Sequence, residues 1–123
     1  MADIFFGNPD NPIVPSSAII HESDSFQVQW SAVNRSGVDV GAFTDRLVVT
    51  SIPEGCPGSD DAEHPVVFDR TFDEPALGPG QEAPLQNPTV GPFAAGAYRL
   101  TVTLANDTGA GDSTFNCIDI QPA

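Results

Sequence analysis

Phe26, Val28, Trp30 and Ala32 occupy every second position of one stretch, with Gln27, Gln29 and Ser31 between them. A β-strand turns successive side chains to opposite faces, so this spacing buries one face and wets the other. Tyr98, Leu100, Val102 and Leu104, alternating with Arg99, Thr101 and Thr103, repeat the pattern. No window carries apolar residues at three-to-four spacing over three turns, so the helical period is absent. A chain built on these two stretches folds as sheet, and its apolar face must be covered by a second layer.

Further strands are expected at Arg46 to Ile52 and Val66 to Phe72, both rich in β-branched or aromatic residues, and at Ser113 to Ile120. Ala18 to His21 makes a short early strand. Leu85 to Val90 is restricted to an edge or a bulge, because Pro84 and Pro88 cannot donate to a ladder. Turns separate these runs at Asn34-Arg35-Ser36-Gly37, Leu77-Gly78-Pro79-Gly80 and Asn106-Asp107-Thr108-Gly109. Twelve Pro and eleven Gly scattered without a period suit many short strands. At 123 residues the chain is long enough for one two-layer core, so residues 1–123 are read as a single all-β domain.

The net charge is −13, with four Arg and no Lys. Neutralising a phosphate backbone takes clustered basic side chains, which excludes a nucleic-acid partner. No stretch approaches the roughly 20 apolar residues that span a bilayer as a helix, so membrane insertion by a helix is not expected. Residues 1–7 lack a basic region followed by an apolar run, so no secretory signal is visible. This leaves a cytoplasmically made particle component or an excised extracellular domain.

Asn34-Arg35-Ser36-Gly37 followed by Gly41-Ala42-Phe43-Thr44 resembles the N-x-G … A-G-x-F stretch of bacterial cell-adhesion-related (CARDB-type) immunoglobulin-like domains. Leu77-Gly78-Pro79-Gly80-Gln81 is similar to their L-x-P-G-x turn. Gly96-Ala97-Tyr98-Arg99-Leu100-Thr101-Val102 is similar to their G-x-Y-x-L-x-V strand. The likeness covers roughly Ile20 to Asn106 and departs at the long Pro53 to Pro65 connection. It also departs at Asn106 to Asp112, which only faintly echoes the family's acidic, Asn-rich end. The resemblance implies an immunoglobulin-like, fibronectin III-like antiparallel sandwich of about seven strands. It implies a non-catalytic module used in adhesion, as a spacer or in assembly. Phe26, Phe43, Phe93 and Tyr98 are expected to pack around Trp30 between the sheets.

The chemistry-bearing residues are few. Asp60, Asp61 and Glu63 form the main candidate calcium cluster, without the spaced register of a calcium loop, and Asp107 and Asp112 offer less still. His21, His64, Cys56 and Cys117 are too dispersed for a zinc site. No nucleophile elbow or phosphate loop occurs, so no catalytic residue is assigned and no cofactor is expected. Ile4-Phe5-Phe6 is read two ways, as an edge strand on its own sandwich or as a docking arm for a partner.

In the topology the resemblance implies, the Arg46 strand and the final strand run parallel, with the Tyr98 strand between them. Cys56 and Cys117 then belong at the same end of the domain, two strand spacings of ~4.8 Å apart. The Pro53 to Pro65 loop is long enough to lean across that gap, so a Cys56–Cys117 disulfide and a pair of reduced thiols both stay open. The expected function is a non-enzymatic interaction module on a bacterial surface. The alternative is a structural or decoration subunit of a cytoplasmically assembled particle, such as a phage capsid or contractile injection apparatus. Either way the expected partner is a protein or a repeated particle surface, self-association included.

Overall fold

The computed structural model describes residues 4–7, 12–17, 19–55, 64–106 and 109–122, with the backbone alone for 106 and 109–112. In chain order the strands are β1 (Ile4–Phe6), β2 (Val14–Pro15), β3 (Ile20–His21), β4 (Phe26–Gln29) and β5 (Ala32–Asn34). They continue with β6 (Phe43–Ser51), β7 (Val66–Glu74), β8 (Thr89–Val90), β9 (Gly96–Asn106) and β10 (Gly109–Gln121). Among the described residues there is no helix.

One layer is a five-stranded sheet ordered β3-β10-β9-β6-β7. Both β6 and β10 run antiparallel to β9, so β6 and β10 are parallel to one another, as the resemblance implied. The facing layer is built on a single extended run from Phe26 to Asn34. Its upstream half pairs with β2 and β8, and its downstream half pairs with β1. The 81–90 segment follows the same run by isolated bridges, Trp30 to Gln86 and Val33 to Glu82, where Pro84 and Pro88 forbid a full ladder. This arrangement is an immunoglobulin-like β-sandwich.

Alternation decides the core. Phe26, Val28, Trp30 and Ala32 are all buried, as are Tyr98, Leu100, Val102 and Leu104. Leu47 and Val49 of β6 close the core between them. Tyr98, near the start of β9, donates its hydroxyl to the Ala94 carbonyl at 2.6 Å. This is the tyrosine-corner arrangement of Greek-key sandwiches. The Gly78–Gln81 turn closes with the Gln81 N–H on the Gly78 carbonyl at 3.0 Å. Pro79 and Gly80, at φ +74°, fill the central positions of a type II turn, the second of which favours glycine.

Two expectations change, and the two-way reading of the N-terminal triplet gains a placement. β6 begins at Phe43 rather than Arg46, because β9 continues to pair with it as far as Asn106. The expected aromatic cluster is divided. Phe93 stacks with Phe26 and Tyr98, at centroid distances of 6.1 and 5.4 Å, while Trp30 meets Phe72 edge-on at 5.6 Å. Phe26 and Trp30 lie about 13 Å apart along an extended strand, too far to share one cluster. Finally, Ile4 and Phe6 are buried in the core and β1 is laddered to β5, with the Gly7 N–H on the Ser31 carbonyl at 2.9 Å. The triplet is therefore an edge strand of its own sandwich. Ile4 and Phe6 pack into the domain's own core, so a partner docking on Ile4, Phe5 and Phe6 would meet the backbone edge of β1 and the half-buried Phe5 rather than these two side chains.

Candidate interaction surface

β2 and β3 belong to different layers. β2 lies antiparallel to β4, whereas β3 lies parallel to β10 and meets it only at Ile120 and Gln121. β2 ends at Pro15 and β3 begins at Ile20, and among the described residues no strand pairs with the outer edge of β10 upstream of Ile120. A groove of about 760 Å³ opens there, lined by Pro15, Ser17, Ile19, Ile20, Ile118 and Asp119 among others. That volume falls in the range of ordinary ligand clefts.

The exposed edge is partly stitched by its own side chains. Asn116 donates Nδ2 to the Ile13 carbonyl at 3.2 Å, and its Oδ1 accepts the Cys117 N–H at 2.9 Å. Such capping discourages unselective strand addition. Large apolar groups nevertheless face water beside it, with Ile19 66% and Phe115 53% exposed. The outer face of the five-stranded sheet also carries the Arg46–Asp69 ion pair, with Nε on Oδ1 at 2.9 Å. Arg46 holds the Asp69 carboxyl below its usual range.

The sequence-assigned residues do not converge here. Asp60, Asp61, Glu63, Asp107 and Cys56 lie outside the described residues, and Asp112 is described in backbone alone. Cys117 is on β10 at the groove and is not a free thiol. It stands level with Arg99 of β9, which stands level with Thr50 of β6. His64 Nε2 meets Glu54 Oε2 at 2.7 Å and His21 meets Asp24 at 3.6 Å, so the two histidines serve separate loops. Among the described residues no three His, Cys, Asp or Glu gather as metal ligands.

The sequence reading missed a second polar feature, inside the sandwich. Asp45 and Glu74 are 1% and 4% exposed. Trp30 Nε1–H donates to Asp45 Oδ2 at 2.9 Å, and Gln86 Nε2 donates to Glu74 Oε1. Burial, reinforced by the neighbouring Glu74, pushes the Asp45 carboxyl up to about 7 against the lowering effect of the indole bond. The signal was available, because Asp45 sits two positions after Phe43 and two before Leu47. A strand started at Arg46 hides it.

No protein-family model and no curated protein matches the sequence. Solved structures do resemble it in fold. One is the crystal structure of the CARDB domain of the PF1109 protein from Pyrococcus furiosus, in complex with di-metal ions. It is 15% identical, with a TM-score of 0.56 over 90% of this chain and 84% of that one. The solution NMR structure of the same domain gives a TM-score of 0.60 at 15% identity, covering 100% of this chain and 98% of that one. A β-glucuronidase from Bacteroides uniformis matches with a TM-score of 0.60 and 11% identity. There the likeness covers 88% of this chain and only 12% of the enzyme. At these identities the shared property is the sandwich fold.

Proposed function

We propose that the chain acts as a non-enzymatic immunoglobulin-like interaction module, in adhesion or as a spacer on a bacterial surface. The observation that carries this reading is the groove beside β10, with Ile19 exposed in its lining and Phe115 exposed two positions before Cys117 on the same strand, on an otherwise acidic chain. Apolar side chains flanking a concave edge, rimmed by polar groups, are what protein contacts use. The CARDB-like fold supports the same reading, since likeness over the whole length is to a separate domain. The likeness to the glucuronidase covers a small part of a large enzyme.

The partner on this reading is a protein, and the contact is made by side chains beside β10. Photoreactive residues at Ile19 and Phe115 test it in the source cells, with one at Val38, an equally exposed apolar position in the loop between β5 and β6. A discrete protein adduct from the first two positions alone is the expected result. No adduct, or the same adducts from all three, would refute it.

A further inference from the structure

Asp45 and Glu74 lie on neighbouring strands of the five-stranded sheet, and each is tied to the facing layer. Asp45 receives the Trp30 indole N–H, and Glu74 receives the Gln86 amide. The remaining Asp45 oxygen, Oδ1, has no hydrogen-bond donor, although the Glu74 carboxyl is within hydrogen-bonding reach of Asp45. Two buried carboxylates at contact distance repel, and a buried acceptor without a donor carries the full loss of its hydration.

The groups around the pair are apolar or neutral apart from one cation, Arg70. From β9 the residue level with Asp45 is Leu104. From β7 the Arg70 guanidinium sits over the Phe72 ring, 4.6 Å from its centroid. The 26–34 run contributes a neutral indole, and the 81–90 segment contributes a neutral amide. Among the described residues neither carboxyl has an ion-pair partner. Two carboxyl groups fall far short of the six to eight oxygens calcium takes. A proton satisfies the orphan oxygen and removes the repulsion together.

We propose that Asp45 holds a proton towards the Glu74 carboxyl in the folded domain and that the pair forms a pH-sensitive lock between the two layers. Below neutral pH the proton bridges the pair and the four-residue chain Trp30–Asp45–Glu74–Gln86 spans the sandwich. As pH rises through neutrality the proton leaves, and two buried negative charges face one another where the layers meet. The domain then loosens at this end of its core while the aliphatic remainder is unaffected.

The test has two independent arms on the intact protein. Infrared spectra at pH 6, where ordinary carboxyls are ionised, should show a protonated carboxyl band that is absent from the unfolded chain and disappears by about pH 8–9. Melting temperatures across pH 5–8 should fall with rising pH in the native protein. They should fall clearly less in Asp45→Asn and in Glu74→Gln, whose amides supply the missing hydrogen permanently. His21 and His64 are kept in every variant, so their contributions cancel in the comparison of slopes. No protonated band at pH 6, or the native slope retained in both variants, overturns the proposal. If neither variant folds, the band alone decides.

Discussion

β6 shows two kinds of interior on one strand. At Leu47 and Val49 its inward face meets Val102 and Leu100 across the ladder with β9, and all four are fully enclosed aliphatic side chains. Just upstream of Leu47 the same face presents Asp45, equally enclosed, to Trp30 and Glu74. The aliphatic half derives its stability from area removed from water, a contribution indifferent to pH. The polar half holds only while each buried donor and acceptor is satisfied and the charge count stays low. Strength in the first region is generic, and in the second it is conditional.

The largest effects should come from breaking the aliphatic half. Leu100→Ala is expected to cost about 2–5 kcal/mol by denaturant unfolding, with the same loss at pH 5 and pH 8. A strongly pH-dependent loss would erase the distinction between the two regions. Opening a Cys56–Cys117 bridge ranks beside it. Such a bridge would close about 60 residues across the end of this half, worth roughly 4 kcal/mol in the chain-entropy model. Alkylation of the unfolded, unreduced protein should add no mass, and two added groups would show that no bridge exists.

Trp30→Phe attacks the polar half with the ring largely kept. Losing the indole N–H leaves Asp45 Oδ2 without its donor, at a cost of about 1–3 kcal/mol. Because that bond favours the ionised carboxylate, the loss should be greater at pH 8 than at pH 5. Unfolding of the native protein gives the matching profile. The Asp45 carboxyl is raised in the folded state from its ordinary 3.8 to about 7. Its contribution is therefore complete below about pH 4 and is lost as pH rises through about 7.

Two changes should do almost nothing. Arg46→Ala removes an ion pair that stands open to water on the outer face, and no shift in unfolding midpoint is expected. Melting in EDTA and in millimolar calcium should coincide. A difference of several degrees would make the Asp60, Asp61 and Glu63 segment a calcium site.

Much of the aliphatic half is legible in the amino-acid sequence. The alternation from Phe26 to Ala32 and from Tyr98 to Leu104 names eight buried residues, because side-chain direction in a strand follows from backbone geometry alone. The polar half is legible only in part: the alternation Phe43, Asp45, Leu47 turns Asp45 inward once the strand is extended to Phe43, but nothing local brings Glu74 to it. A single acidic residue in a strand reads as a solvent-facing position unless the register is known, and register comes from the partner strands. The groove beside β10 is invisible in the sequence, since it exists only because β2 and β3 pair with different layers.

The sequence by itself determined the all-β class, the turn at Gly78 to Gln81 and the inward faces of the two best strands. Each is a local property, fixed by steric preference or period. Only the tertiary structure decided that Ile4 and Phe6 are enclosed, that Trp30 contacts Phe72 rather than Phe93, and that Asp45 and Glu74 meet. These are contacts between segments tens of residues apart. Which apolar or polar group fills a given space depends on how two layers superpose, and no single stretch of chain contains that information.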